Sequence, residues 1–207
     1  MALLKNIILD LGGVLLNIDY HKTEKAFAAL GFSDFNKMYT QYTADKVFAR
    51  LETGAISNDD FYNYMIAASN GTIDQEQVKN AWNAMLLDFR TGTLDFLSEL
   101  GNEYPLFLLS NTNAIHLEAF REIFTKQTGF ATIDQFFKKA YYSHEIGLRK
   151  PNNDIFEYVI KDAELQAEET LFIDDSFNNI NTAASMGFKT HLLQPEEKIE
   201  ALLYKTF

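Results

Sequence analysis

The chain has 207 residues, no cysteine and a formal net charge of −11 at pH 7. The absence of cysteine excludes disulfides, thiolate metal sites and thiol nucleophiles. The acidic balance argues against nucleic acid and anionic membranes as partners, because both attract a basic face. No apolar stretch approaches the roughly 18 residues that span a bilayer. We expect a cytoplasmic protein, with which the absence of cysteine is compatible, and the acidic balance still allows a small anionic substrate.

The first apolar run of the chain ends in an acid. Residues 7–9 predict a buried strand, Asp10 follows directly, and Gly12 with Gly13 breaks the regular structure. A buried carboxylate is costly to desolvate unless something pairs with it. Open α/β sheets place their active sites at this end of a strand. Taken alone, Asp10 is as compatible with a surface turn as with a catalytic group.

The segment from residue 20 to residue 90 contains no proline and has helical periodicity. Ser57 and Asp60 resemble an N-terminal capping pair. One predicted helix face has apolar residues at the expected spacing, namely Val78, Ala81, Trp82, Met85 and Leu86. Aromatic residues are dense in the segment: Phe27, Phe32, Phe35, Tyr39, Tyr42, Phe48, Phe61, Tyr62, Tyr64, Trp82 and Phe89. We interpret the segment as a small helical bundle with an aromatic core. The alternative is that a few of these aromatic residues line a pocket that faces the active site.

After residue 90, predicted strands and helices alternate. Apolar runs predict strands at 105–109, 139–142, 170–173 and 189–193, with helices that end near Gly101, Phe124 and Met186. This alternation predicts an α/β fold, in which a doubly wound, Rossmann-like parallel sheet has helices on both faces. The expected division is a core domain of residues 1–16 and 91–207, interrupted by a helical domain at 17–90.

Polar residues follow three of the predicted strands. Asp10 follows the first, Ser110 the second, and the pair Asp174 and Asp175 a later one. Three carboxylates in one crevice repel each other unless a cation lies between them. An all-oxygen cluster suits a hard ion such as Mg²⁺, and Lys150 would add a positive charge for a phosphoryl group.

Four motifs, in this order, resemble those of the haloacid dehalogenase superfamily. They lie at residues 9–14, 109–113, 147–151 and 172–176. The chain is most similar to the branch with a helical cap inserted after the first strand. Within that branch, it resembles small bacterial sugar-phosphate phosphatases of the alpha-glucose-1-phosphate phosphatase type. The resemblance implies a Mg²⁺-dependent phosphatase that hydrolyses a small phosphate ester, with the helical domain as the cap.

The resemblance also implies a nucleophile and a set of metal ligands. Asp10 would attack phosphorus and form an aspartyl-phosphate intermediate, which divides one difficult step into two easier ones. The Mg²⁺ ligands would be Asp10, the backbone carbonyl of Gly12, and Asp175. Asp174 would share the metal or bind it through water. The second aspartate of the pair has a structural alternative, as a cap of the following helix.

The phosphoryl group would be bound by three further residues that the resemblance identifies. Ser110 and the backbone amide of Asn111 would donate hydrogen bonds to its oxygens. Lys150 would pair with both the nucleophile and the phosphoryl group. These donors would stabilise the charge that develops on the phosphoryl oxygens.

The chain departs from most phosphatases of the superfamily at Gly12. They carry a second aspartate at this position, which protonates the leaving group and later activates water. General acid–base help of this kind is worth about 10²–10⁴ in rate. An anomeric phosphate, which leaves readily, would need less of it. Asp19, His21 and His116 are the candidate replacements or substrate contacts, against the alternatives of a helix cap for Asp19 and a helix surface for His116.

Two alternative functions stay open at the level of sequence. One is a metal-free haloacid dehalogenase, in which Asp10 attacks carbon, and the carboxylate pair argues against it. The other is a non-catalytic, phosphate-binding regulatory protein that lost turnover with the acid at position 12. A nucleotide-binding oxidoreductase fits poorly because the G-x-G-x-x-G spacing is missing. We expect the cap surface and the loops near residues 19–21 and 52–56 to determine the substrate.

Overall fold

The computed structural model describes residues 3–40 and 44–204. Its strands are β1 (Asn6–Leu9), β2 (Leu16–Ile18), β3 (Leu86–Phe89), β4 (Leu106–Ser110), β5 (Lys139–Tyr142), β6 (Thr170–Asp174) and β7 (Lys189–Leu192). Five of them form a parallel sheet in the order β5-β4-β1-β6-β7, and β2 pairs with β3 in a separate two-stranded antiparallel sheet. The predicted parallel sheet is therefore confirmed.

The helices fall into two groups. Between β2 and β3 lie α1 (Tyr20–Ala29), α2 (Phe35–Met38), α3 (Lys46–Glu52), α4 (Asn58–Ala68) and α5 (Gln75–Asn83). The second half contains α6 (Thr93–Glu103), α7 (Ala114–Thr128), α8 (Ser143–Ile146), α9 (Asn153–Asp162) and α10 (Phe177–Ser185). Short 3-10 turns occur at Ile133–Phe136, Ala167–Glu169 and Ile199–Tyr204. Within the described residues, no helix is long and apolar enough to cross a membrane.

The sheet is covered on both faces because side chains alternate along each strand. Ile7 and Leu9 of β1 pack into a buried cluster with residues of α6 and α7, whereas Ile8 packs into a second cluster with residues of α9 and α10. This two-sided burial explains why the strands are apolar throughout. It also places β1 at the centre of the sheet, with β4 and β6 on either side.

The helical segment has an aromatic core of its own. Trp82 lies at its centre, fully buried, with ring contacts to Tyr39, Phe48 and Phe61 at 4.7–5.4 Å between centroids. Two of the aromatic residues expected in this core do not belong to it: Tyr64 is exposed, and Phe89 packs in the core beneath the sheet. Tyr42 lies outside the described residues.

Two local predictions had different outcomes. The capping pair is confirmed, since Ser57 and Asp60 form a reciprocal capping box at the start of α4. The helix predicted to extend through Leu86 ends earlier, at Asn83. Leu86 instead begins β3 and pairs with Ile18 of β2. The apolar residue Leu86 therefore belongs to the two-stranded antiparallel sheet that connects the helical segment to the core. Helical spacing alone did not distinguish the two.

Candidate active site

The acidic residues converge where the central strands end. Asp10 directly follows β1, and Asp174 is the last residue of the adjacent β6. Oxygen atoms of Asp10, Asp174 and Asp175 all lie within 4.8 Å of one another. Beside them is a cavity of about 150 Å³ that Asp10 and Asp175 line together with Lys150. The sheet topology thus brings together residues that are up to 165 positions apart in the sequence.

Lys150 connects two of these carboxylates. Its Nζ atom lies 2.8 Å from Asp10 Oδ1 and 2.7 Å from Asp174 Oδ2, and it donates a third hydrogen bond, of 2.8 Å, to the Leu109 carbonyl. The side chain is 1% exposed. Burial lowers the pKa of Lys150, but the two carboxylates more than compensate and raise it. The ammonium therefore stays charged and fixed beside Asp10.

The backbone of Lys150 is held by a side chain from the neighbouring strand end. The Asn111 side chain accepts a hydrogen bond from the Lys150 N–H and donates one to the Lys150 carbonyl, both at 2.8 Å. The sequence predicted a phosphoryl contact through the Asn111 backbone and did not predict this role. Ser110, the predicted hydroxyl donor, is 3% exposed at the end of β4, immediately before Asn111.

Both carboxylate oxygens of Asp174 accept two hydrogen bonds each from neighbouring groups of the protein. Its Oδ1 accepts hydrogen bonds from the Ser176 N–H at 2.8 Å and from Asn179 Nδ2 at 3.0 Å, and its Oδ2 accepts from Asn179 and Lys150. Asp174 thus links the start of α10 to Lys150. Helix α10 begins after Ser176 with no side-chain cap, so Asp175 does not cap it.

The electrostatics of the cluster fit a divalent cation. Burial raises the pKa of Asp10 from 3.8 to about 7; Lys150 opposes this rise, and Asp174 and Asp175 add to it. Burial and the charge of Asp174 raise the pKa of Asp175 to about 6. The single positive charge of Lys150 thus does not balance the negative charge of three neighbouring carboxylates. An all-oxygen donor set with an excess of negative charge suits Mg²⁺.

Two glycines shape the wall around the acidic cluster. Gly12 lines the cavity, and a Cβ atom there would lie 3.2 Å from the Ile18 side chain. Gly13 has a φ of +72°, and a Cβ atom there would lie 2.1 Å from Asp175 Oδ2. Only glycine allows the loop after β1 to pass so close to that carboxylate. Arg90 holds the same loop by a hydrogen bond from Nη2 to the Gly13 carbonyl, at 2.5 Å.

Three candidates for the missing acid lie outside the cavity. Asp19 caps α1, where its carboxylate accepts a hydrogen bond from the His21 N–H. The His21 side chain is 81% exposed and pairs with Glu24. His116 does not line the cavity and is not on the helix surface, because it is buried, stacks on Trp82 and lies 3.1 Å from the Trp82 carbonyl through Nε2. Burial lowers its pKa to about 4.

The far end of the cavity is formed by polar residues of the helical segment. Glu52, the last residue of α3, forms an ion pair of 2.8 Å with Arg149, and its Oε1 accepts a hydrogen bond from the Tyr39 hydroxyl at 3.0 Å. All three residues line the cavity, as does Tyr20. Burial raises the pKa of Glu52, whereas Arg149 and Tyr39 oppose the rise. The sequence pointed to residues 52–56 and to aromatic residues that line a pocket, among them Tyr39, but it did not predict the pairing of Glu52 with Arg149.

The fold and the acidic cavity define the class of protein first: an α/β protein with an acidic site at the carboxyl ends of the central strands, beneath a helical insertion. A family model described as haloacid dehalogenase-like hydrolase matches residues 4–187. The chain belongs to this family, as the four motifs indicated.

Three proteins illustrate what the chain is similar to. The D-ribitol-5-phosphate phosphatase of Bacteroides thetaiotaomicron is 33% identical over 195 residues, which cover 94% of this chain and 93% of that protein. An aspartate-to-alanine mutant of a HAD family enzyme from the same organism, in complex with magnesium and inorganic phosphate, superposes with a TM-score of 0.91 at 33% identity, over 98% of this chain and 100% of that one. A predicted HAD-like family hydrolase from Porphyromonas gingivalis superposes with a TM-score of 0.87 at 34% identity, over 99% of this chain and 100% of that one.

Proposed function

We propose that the protein is a Mg²⁺-dependent phosphatase that hydrolyses the phosphate ester of a small sugar or sugar alcohol. The observation that carries the proposal is the Asp10 carboxylate, held 2.8 Å from the buried Lys150 ammonium within the acidic cluster. The similarity to a sugar-alcohol phosphatase supports the substrate class. The cavity of about 150 Å³ is smaller than the 300–1,000 Å³ of typical ligand pockets, which favours a small substrate.

The reaction begins with attack of an Asp10 oxygen on phosphorus. A bond forms between that oxygen and phosphorus, the bond from phosphorus to the ester oxygen breaks, and the leaving alkoxide takes a proton from solvent water. A water molecule then attacks the phosphorus of the aspartyl phosphate and gives up a proton to solvent, the bond from phosphorus to the Asp10 oxygen breaks, and inorganic phosphate leaves. Lys150, fixed by Asp174 and the Leu109 carbonyl, stabilises the negative charge on the phosphoryl oxygens.

Asp10 and Asp175, with the Gly12 carbonyl, would hold Mg²⁺, and Asp174 would support the site through its contact with Lys150. When bound, the metal supplies positive charge that offsets the carboxylates and the phosphoryl oxygens. Ser110 and the Asn111 backbone amide are the further phosphoryl donors. Residues 17–90 act as the cap that closes over this site, and the predicted cytoplasmic location stays a prediction.

Gly12 makes the reaction sensitive to the leaving group. Without a carboxylate at this position, turnover should fall as the departing alcohol becomes more basic. An anomeric sugar phosphate, whose alcohol is comparatively acidic, should therefore react faster than the phosphate of a primary alcohol of the same size. Both types belong in the substrate set.

A screen of phosphate esters with Mg²⁺ tests the proposal, with Asp10→Asn measured in parallel. We expect turnover that a chelator abolishes. The variant should lose at least about 10³-fold in kcat, because amide nitrogen and oxygen are poor nucleophiles. Asp162→Asn, at a surface carboxylate paired with Lys139, is the matched control and should keep wild-type rates. Substantial activity of Asp10→Asn would exclude Asp10 as the nucleophile.

Gly12 also favours a second candidate, a phosphate-binding protein without turnover. Such a protein would be stabilised by phosphate analogues such as tungstate and yet hydrolyse none of the esters in the presence of Mg²⁺. The metal-free dehalogenase is disfavoured by the carboxylate cluster, which would repel an anionic haloacid. Stimulation by Mg²⁺ separates that reading from the phosphatase.

A further inference from the structure

The catalytic cavity has two chemically different ends. The core end carries Asp10, Asp175 and the Lys150 ammonium, and it is where a phosphoryl group would bind. The cap end carries Glu52 and Tyr39 from the helical segment. A substrate whose phosphate occupies the core end must extend the rest of its structure towards this second group. The cap end therefore contacts the part of the substrate that differs between phosphate esters.

Glu52 is unusual among the residues at the cap end. Its side chain is only 6% exposed, although it lines the cavity. Burying a carboxylate costs several kcal/mol unless charge and hydrogen bonds compensate. Here Arg149 pairs with Oε2 and the Tyr39 hydroxyl donates to Oε1. An ionised carboxylate offers about four acceptor positions, two on each oxygen. Oε2 is fully buried against Arg149, so Oε1, which accepts one hydrogen bond from Tyr39, is the oxygen that can accept another from a ligand.

We propose that Glu52 is a specificity-determining residue that selects neutral, hydroxyl-bearing phosphate esters and rejects esters whose leaving group is anionic. Its carboxylate accepts hydrogen bonds from substrate hydroxyls and repels a second negative charge at that end of the cavity. Arg149 and Tyr39 are positioning residues that hold the carboxylate in place. The inference rests on the proposed phosphatase function and adds a discrimination by charge.

Arg149 strengthens the expected effect of removing Glu52. In the wild-type protein, the guanidinium is neutralised by its ion pair with Glu52. Without that partner, Arg149 keeps its positive charge, since arginine stays protonated in proteins. The cap end would then change from one that repels an anion to one that attracts it. Loss of a single carboxylate should therefore invert the charge preference of the site.

Two matched substrate pairs test the proposal: ribitol 5-phosphate with ribonate 5-phosphate, and glucitol 6-phosphate with gluconate 6-phosphate. Within each pair, a hydroxymethyl group is replaced by a carboxylate. We expect the wild-type enzyme to favour the neutral ester in kcat/KM. Glu52→Gln should reduce the ratio of neutral to anionic ester by about tenfold or more, mainly through KM, because like charges in contact are strongly unfavourable.

Glu118→Gln is the matched control. Glu118 of α7 pairs with Lys79 of α5 at 3.1 Å, so it also links the core to the helical segment, but its side chain is 59% exposed and lies outside the cavity. In Glu118→Gln, the ratio of kcat/KM for the neutral ester to that for the anionic ester should equal the wild-type ratio. The rise in melting temperature produced by Mg²⁺ with inorganic phosphate should also be unchanged in Glu52→Gln, because phosphate needs only the core end.

The outcomes separate this inference from the proposed function. An unchanged ratio in an active Glu52→Gln variant, or a wild-type preference for the anionic esters, would overturn the role of Glu52 alone. Absence of Mg²⁺-dependent turnover in the wild type would overturn the phosphatase function and the inference with it. If Glu52→Gln does not fold, Glu52→Asp serves instead: it should raise KM for the neutral esters and keep the discrimination, and loss of discrimination there would contradict the proposal.

Discussion

The two ends of the catalytic cavity are built in different ways. At the core end, Lys150 has three hydrogen-bonding partners and Asp174 accepts hydrogen bonds at both oxygens, all from elements packed on the central sheet. At the cap end, Glu52 is held by one ion pair and one hydroxyl. The comparison indicates that the groups for chemistry are fixed by the fold. The group for recognition, in contrast, depends on where the helical segment lies.

Lys150→Met tests the core end of the cavity, where we expect the largest effect. The variant leaves Asp10 and Asp174 without their shared cation, so we expect kcat to fall by about 10²–10³-fold. Lys161→Met, at an exposed lysine of α9, is the control and should leave kcat unchanged. Steady-state kinetics at saturating Mg²⁺ measures the effect. A fall in kcat of less than about threefold would mean that Lys150 is structural.

Asn179→Ala addresses the support behind the chemical groups. Asn179 Nδ2 lies 3.0 Å from each oxygen of Asp174, which in turn holds Lys150. Loss of an outer residue of this kind typically costs 10–100-fold in activity or metal affinity, and we expect about that loss in kcat/KM. Asn181→Ala, exposed on the same helix, should have no effect. Equal activities of the two variants would show that the core end tolerates loss of an anchor.

The pH dependence of stability provides a smaller effect. Because the pKa of Asp10 is raised to about 7 and that of Asp175 to about 6, the metal-free folded protein binds more protons than the unfolded chain. Its stability from these groups is complete below about pH 4 and is lost as the pH rises through 6 to 7. Mg²⁺ requires the deprotonated carboxylates, so its stabilising effect should grow over the same range.

Thermal unfolding with and without Mg²⁺ at pH 5 and pH 8 measures this effect. We expect a larger increase in melting temperature at pH 8. In Asp10→Asn, the metal-free protein should lose less stability between the two pH values, and Mg²⁺ should stabilise it less. A Mg²⁺ effect that is independent of pH would contradict a site made of these carboxylates.

The same contrast explains what the sequence could predict. Several apolar runs that predict strands are followed by polar residues, namely Asp10, Ser110, Asp174 and Asp175. Parallel strands bring their carboxyl ends to one edge of the sheet, so this local signal was enough to predict the fold and the acidic cluster. The motif that contains Lys150 was recognised in the same way, from neighbouring residues in the sequence. The partners that hold these groups in place, such as Asn179 for Asp174, are set by tertiary packing.

The contact between Glu52 and Arg149 at the cap end could not be predicted from the sequence, for a physical reason. Glu52 and Arg149 are 97 residues apart, and their contact depends on how the helical segment rests on the core. His116 attracted a functional interpretation because histidine titrates near neutral pH, but a buried ring beside the Trp82 carbonyl gives no sequence signal. The pairing of β2 with β3 was missed because β2 has only three residues and β3 directly follows the helical pattern of α5.

The central claim is that Asp10 carries the phosphoryl group during turnover. Rapid acid quenching of the enzyme with Mg²⁺ and a ³²P-labelled phosphate ester, followed by peptide mapping, tests it directly. We predict that the label is bound to the peptide containing Asp10, is released by hydroxylamine, and is absent from Asp10→Asn. Label on another residue, or full turnover with no labelled peptide at any quench time, would contradict the mechanism.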